Sequence, residues 1–355
     1  MKKILFAVCA MALLGLTACK DDPVNPTPTP TPTPTHSGEG VYSPAVKITS
    51  VEYGGGTVET WQWDDGKLTA ITREDSVGND GGANYFTYDN DWRITTMNMT
   101  GETPAMATYT YTGSKLNTIG VTSGGMQLAM IQVQHNNADK INHMDIEVNE
   151  TVIQMLIQMI SSNLGGDNIG RTLAKVDACA KNGRKLSYTS SDFDADFEWN
   201  GNNVSRVTLD ANIVLGVTVA ELSSLMSMFG DTTSSMATML ETLSGLMGDN
   251  ELPLTLNIKD TMEFNYDQHV NPMQGMFGII DIAALSSNNV TLSSSYGTVN
   301  ATLTYSIPFV GTQDMPFSFP LESSLVTTDY TYLSNGYPQT SSSSDGEIKT
   351  YTYNN

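Results

Sequence analysis

The chain has 355 residues, with 17 Lys and Arg against 38 Asp and Glu, a formal charge of -21 and three cysteines. So acidic a chain excludes nucleic acid as a partner, because no basic patch is available to displace phosphate counterions. It also disfavours adsorption to anionic membranes, and its length allows a sizeable core in one large domain or two small ones.

The start of the chain reads as an address. Lys2 and Lys3 precede an uncharged apolar run from Ile4 to Leu16. A membrane span needs about 20 residues, so this run fits the apolar region of a secretory signal. It closes on Leu16-Thr17-Ala18-Cys19, which resembles the lipobox of bacterial lipoproteins. That resemblance implies a signal peptide over residues 1–18 and a lipid on Cys19, with the membrane a partner through this anchor. Lys20, Asp21 and Asp22 follow and resemble the surface-export signal of Bacteroidota lipoproteins, which implies display on the outer face of the outer membrane. Loss of Lys2 and Lys3 takes the formal charge from -21 to -23. Cys9 leaves with the signal and Cys19 carries the lipid, so Cys179 is left alone and no intrachain disulfide is expected. It reads as a buried free thiol.

Residues 19–40 form a linker built on a Thr-Pro ladder from Pro26 to Pro34. Proline fixes φ and removes a backbone donor, so neither helix nor central strand forms. Polyproline II at about 3.1 Å per residue makes this a stalk reaching roughly 60 Å.

The body, residues 41–355, opens with a repeat. Trp61-Gln62-Trp63, Phe86-Thr87-Tyr88, Tyr109-Thr110-Tyr111 and Val133-Gln134-His135 are each followed by Asp, Asn or Gly and then by Lys-Leu, Arg-Ile, Lys-Leu or Lys-Ile. The central residues 63, 88, 111 and 135 lie 25, 23 and 24 residues apart. The unit returns at Phe197-Glu198-Trp199, Phe264-Asn265-Tyr266 and Tyr330-Thr331-Tyr332. Residues i and i+2 share one face of a strand, and Asn, Asp and Gly supply the positive φ of tight hairpins. Each unit therefore reads as one hairpin. The pattern resembles the tyrosine-aspartate repeats of RHS-like sheets, and more closely a group of Bacteroidota lipoproteins of unknown function. The resemblance implies a fold and says little about activity.

Between the repeats lie Met-rich amphipathic stretches, expected as helices at about 150–164 and 218–248. Thr218 and Glu221 form a capping box for the second. The expected fold is mainly β: an antiparallel meander of hairpins, curled or RHS-like, with these helices covering one face. Their methionines are core or, alternatively, the lining of an apolar pocket formed by Met155, Met159, Met226, Met239 and Met247.

Candidate chemistry is sparse. Asp192, Asp194 and Asp196 match the first positions of an EF-hand loop, but Phe197 stands where its glycine belongs. Strand alternation explains the stretch better, with a metal site as the weaker reading. His135 and His143 share a hairpin without a third ligand in view. There is no nucleophile elbow, P-loop or dinucleotide fingerprint, and no cofactor is expected. The reading is a non-enzymatic binding or adhesion module at the cell surface, with glycans as a candidate partner met by an aromatic row of Trp61, Trp63, Tyr88 and Tyr111. The alternative is a carrier of an apolar ligand, and behind it a glycoside hydrolase, since carboxylate pairs abound in an acidic chain.

Overall fold

A computed structural model describes residues 39–78, 80–101, 104–149, 187–219, 250–276, 285–307 and 309–354, with positions 152, 242 and 245. Nine shorter strands come first: β1 (Lys47–Tyr53), β2 (Val58–Asp64), β3 (Lys67–Glu74), β4 (Asp80–Tyr88), β5 (Ile94–Met99), β6 (Ala105–Thr112), β7 (Lys115–Ser123), β8 (Met126–His135) and β9 (Ile141–Val148). Five longer ones follow: β10 (Ser187–Asn200), β11 (Asn203–Val217), β12 (Leu252–Val270), β13 (Asn288–Ile307) and β14 (Gly311–Tyr332). Two short strands, β15 (Pro338–Ser343) and β16 (Ile348–Asn354), complete the order.

These strands form one closed antiparallel barrel in which every strand pairs with its neighbours in sequence and β16 returns to β1. The expected open meander is thus corrected. Lys47 lies opposite Asn354, Val51 opposite Tyr351 and Tyr53 opposite Lys349, so the sheet has no free first or last strand. Closure removes the unpaired edges that an open sheet would expose. The expected helical layer over one face is corrected with it, because the named elements are strands alone. The segments assigned to helices, with Met155, Met159, Met226, Met239 and Met247, lie outside the described residues apart from a few single positions.

Alternation decides which face looks inward. On β11 the residues Val207, Leu209, Ala211, Ile213, Leu215 and Val217 are buried, while the intervening positions are not. The same holds for Ala105, Ala107 and Tyr109 on β6 and for Phe193, Ala195 and Phe197 on β10. The interior is therefore mainly apolar, with a few charged side chains among it. The outward face is hydroxyl and carboxylate: Thr87 bonds Thr96 at 2.7 Å and Thr110 bonds Thr118 at 2.6 Å across neighbouring strands.

One end of the barrel carries a collar. Every repeat aromatic sits just before its hairpin turn, and a β-bulge precedes it. Gln62 pairs with Ala70 but Trp63 with Leu68, leaving Thr69 extra; Thr87 pairs with Thr96 but Tyr88 with Ile94, leaving Thr95 extra. Such a bulge breaks the ladder locally and bends the strand. The carbonyl just before the extra residue then accepts a hydrogen bond from the next hairpin's aromatic. Tyr88 Oη donates to Leu68 and Tyr111 Oη to Ile94, each at 2.7 Å. Trp63 Nε1 donates to Ile48 and Trp199 Nε1 to Ile141, each at 2.7 Å. Tyr266 reaches Val204 at 2.5 Å and Tyr353 reaches Pro338 at 2.8 Å.

The basic residue near the start of four strands lies over a collar ring: Lys47 over Trp63 at 5.4 Å, Lys67 over Tyr88 at 5.8 Å, Arg93 over Tyr111 at 4.8 Å and Lys140 over Trp199 at 4.9 Å; Lys115 pairs with Asp139 instead. This cation–π contact is the physical content of the Lys-Leu and Arg-Ile signature.

A strap formed by residues 39–42 runs along the collar. Gly40 accepts from the Ile94 N–H at 2.9 Å, and Val41 bridges Arg93. The φ of Gly40 is +74°, and a Cβ there would collide with the Tyr111 hydroxyl, so only glycine fits. Tyr42 is fully buried, packs on Trp61 and Trp63, and donates to the Pro272 carbonyl at 2.8 Å.

Replacing Tyr88 by Phe should cost about 1–3 kcal/mol in urea unfolding, because the Leu68 carbonyl is left unpaired. Tyr85→Phe, on the exposed outward face, should stay within about 0.5 kcal/mol.

Candidate functional site

The richest cluster of titratable side chains lies outside the barrel, where β9, β10 and β11 run side by side. Burial of Phe193, Ala195 and Phe197 forces Asp192, Asp194 and Asp196 to the outward face. Register then places Asp194 directly opposite both Asp145 on β9 and Asp210 on β11, and Asp196 opposite His143. Asp210 in turn faces Lys259 on β12.

His143 is the hub of this patch. Its Nδ1 lies 2.8 Å from Asp196, and its Nε2 lies 3.2 Å from Asp145 and 3.7 Å from Asp194. Gln134 donates to the other oxygen of Asp145 at 2.8 Å. The ligand atoms of His143, Asp145 and Asp194 lie within 4.8 Å of one another, a spacing that a divalent cation can bridge. Asp196 on Nδ1 is where a metal-ligating histidine commonly finds its outer carboxylate. Three protein donors are one short of a closed structural zinc site. The same contacts are also complete as an ion-paired patch around a protonated imidazole. Asp192, by contrast, lies outside the group, opposite Asn212.

Electrostatics follow from this geometry. Burial works to lower the His143 pKa, but the hydrogen bonds and charges of Asp196 and Asp145 outweigh it and hold it above the ordinary value. Asp194 is pushed up, first by burial and then by the like charges of Asp145, Asp192 and Asp196, against the pull of His143.

The aromatic row predicted from sequence is brought together, but as packing. Trp61 is buried. Trp63, Tyr88 and Tyr111 are half-buried, their polar atoms committed to backbone carbonyls and their rings covered by Lys47, Lys67 and Arg93. His135 and His143, read as neighbours on one hairpin, point to opposite faces. His135 turns inward and its Nε2 lies 2.8 Å from Glu39, whose other oxygen accepts the Leu116 N–H at 2.6 Å. Sequence reasoning missed Glu39; the signal was a histidine standing where the repeat has Tyr or Trp, which needs a new partner.

A second residue passed over is Asp260. It continues the inward series Leu254, Leu256, Ile258 on β12 and precedes Met262. Burial pushes its carboxyl up to about 6, against a backbone hydrogen bond from Thr261. A further interior ionic group joins the seam strands: buried Glu59 pairs with Arg73 at 2.9 Å, and buried Lys349 lies 2.9 Å from Glu347 and over the Tyr53 ring at 5.3 Å.

Two pH profiles check these environments. The His143 contribution is fully present below the unfolded histidine pKa of about 6.5 and is lost as pH rises through the higher folded value. The stability advantage of the wild type over His143→Gln should therefore be largest below about pH 6.5 and shrink as pH rises through the raised folded value. Asp260 works in the other direction, because its raised folded pKa makes ionisation destabilising. Asp260→Asn should raise the urea midpoint at pH 8, and the gain should vanish as pH falls below about 4.

No protein-family model matches the chain, and no curated protein matches it. A crystal structure of a porin-like protein from Bacteroides uniformis is similar at 12% identity, covering 89% of this chain and 100% of that chain, with a TM-score of 0.28. A TM-score that low carries no weight on fold or function.

Proposed function

We propose that the chain is a surface lipoprotein of Bacteroidota type, a water-soluble barrel tethered to the outer membrane through Cys19, acting as a non-enzymatic binding or adhesion module. The observation that carries this reading is the orientation of the sheet. A membrane-spanning barrel needs an apolar outward band about 25 Å tall and a polar lumen. Here the apolar residues face inward, and Thr87, Thr96, Thr110, Thr118, Gln134, Asp194 and Asp210 face outward. Among the described residues no helix is long and apolar enough to cross a membrane. The anchor then falls to the lipid, as the lipobox and the Lys20-Asp21-Asp22 tag suggest.

Three histidines of the described barrel are committed to partners. His135 serves Glu39, His143 holds three aspartates, and His269 stacks on Tyr332 at 3.8 Å. Recognition is left to the outward rows of hydroxyls and carboxylates, a chemistry suited to sugar hydroxyls or a polar protein surface.

The second reading, a carrier of an apolar ligand, draws support from barrel size. Eight strands enclose a space that their own side chains fill, and sixteen enclose far more.

Cell fractionation of Cys19→Ser tests the first reading. The variant should leave the membrane fraction, while the wild type should stay there and be cleaved by protease added to intact cells. Retention of Cys19→Ser in the membrane would mean that the body itself inserts. A native mass spectrum with a bound apolar molecule would promote the carrier reading.

A further inference from the structure

The barrel is uneven in height. Strands β10 to β14 have 14 to 22 residues, against 6 to 10 for the rest. The tallest pair, β13 and β14, ends in a hairpin tip away from the collar, with Ile307 opposite Gly311. At this tip Phe309 is 110% exposed and Val310 64% exposed. Phe309 also has φ +68°, a left-handed conformation that aromatic residues rarely adopt. The fold thus bears two separate costs at one residue: backbone strain and a fully exposed aromatic ring. Neither contributes to packing.

The flanks narrow the role. Residues 312–326 of β14 pair with β13, whereas the pairing of β15 begins only at Thr328, so above the closed part of the barrel this stretch of β14 has ladder pairing on one side among the described residues. Pro316 and Pro320 lie in that stretch and remove two donors of the same lateral set. Proline at these two positions disfavours strand addition, and the tip presents its side chains. From Asn288 to Tyr332 there is no Lys or Arg, while Asp314 lies beside the tip. An anionic phosphate surface is therefore excluded, and an uncharged or zwitterionic one is not.

We propose that Phe309 and Val310 insert into the interface of a zwitterionic lipid surface, as a second membrane contact beside the lipid on Cys19. A convex tip of two apolar side chains suits a deformable apolar phase, where no shaped pocket is required. Alone, a pair of side chains binds weakly. Tethering raises the effective concentration to the millimolar range, and stable membrane attachment takes two such signals. The geometry permits it: a stalk of roughly 60 Å matches the height of the tall strands, about 3.3 Å per residue along a tilted strand. This rests on the lipoprotein reading.

The test uses the full lipidated chain reconstituted in phosphatidylcholine vesicles. With Phe309→Trp, the added fluorescence over the wild-type background should shift to the blue and be quenched by lipid brominated in its acyl chains. Both effects should be lost when Val310→Asp is added. Phe309→Gly should keep or raise the urea midpoint, since glycine relieves the strained φ, which separates a binding role from a folding one. If the protein reconstitutes through its anchor and the Phe309→Trp signal stays unshifted and unquenched, lipid insertion is overturned, and a protein pocket becomes the occupant to seek. Failure to reconstitute at all counts against the anchor, because the Cys19→Ser control then behaves as wild type.

Discussion

The barrel depends on one recurring bond, from a collar Trp or Tyr to the carbonyl that a bulge has turned out of the ladder. Each bulge bends and twists its strand pair, and bending at one level around a sheet brings its edges together. The bend leaves a half-buried acceptor without its ladder donor, and an unpaired acceptor costs more than a bond gains. The next hairpin supplies the donor. Tyr88 serves Leu68, Tyr111 serves Ile94, Trp199 serves Ile141. Neighbouring hairpins are thus locked side to side by a contact outside the ladder itself. Phenylalanine has no donor and cannot do this, which is why the second aromatic of the unit is Trp or Tyr while the first, as in Phe86 or Phe197, is free to be Phe.

The exceptions obey the same rule. His135 stands in the collar series but serves Glu39, and Glu39 takes up the Leu116 N–H on the neighbouring strand. Tyr332 donates to Asp267, which Asn289 also holds at 3.0 Å. Where the repeat loses its usual acceptor geometry, a carboxylate replaces it. At the far end of the seam a different device operates. Glu59, Arg73, Lys349 and Tyr53 come from β2, β3, β16 and β1 and meet on the inward face. The ion pairs themselves are local, Glu59 with Arg73 across β2 and β3 and Lys349 with the nearby Glu347, and buried ion pairs add little net stability. Of these contacts, Lys349 over the Tyr53 ring is the one that crosses the β1–β16 seam, so it is this cation–π contact that favours the register placing Tyr53 opposite Lys349.

Much of this was legible in the sequence, and the illegible part has a physical cause. Turn residues, paired aromatics and the following Lys or Arg are local, so they marked the hairpins and the collar positions. Closure is not local: the pairing of Val51 with Tyr351 depends on accumulated twist over the whole sheet, which no single repeat encodes. The bulges were hidden too, since one extra residue per return strand leaves the aromatic spacing unchanged. The aspartates of β10 were correctly read as an outward row, yet their meeting with His143 and Asp145 rests on a pairing across the interval from Val148 to Ser187. Asp260 and Lys349 were readable and overlooked. Each continues an inward series, after Ile258 and before Tyr351, so alternation alone places a charge inside.

The two ends of the barrel divide the work. At the collar, cations that are scarce in an acidic chain are concentrated over aromatic rings, and residues 39–42 are fixed among them by Tyr42, Val41 and Glu39. Buried side chains and backbone bonds thus hold the chain ahead of β1 to the barrel. The opposite end tolerates what the collar does not: unpaired edges blunted by proline, strands of unequal length, and an aromatic residue held in a strained turn. A fold that spends its bonding on a fixed base can carry exposed and strained groups at its far end without losing register. That asymmetry divides the barrel into an end fixed by collar bonds and an end where the tall strands carry their strained, exposed tip.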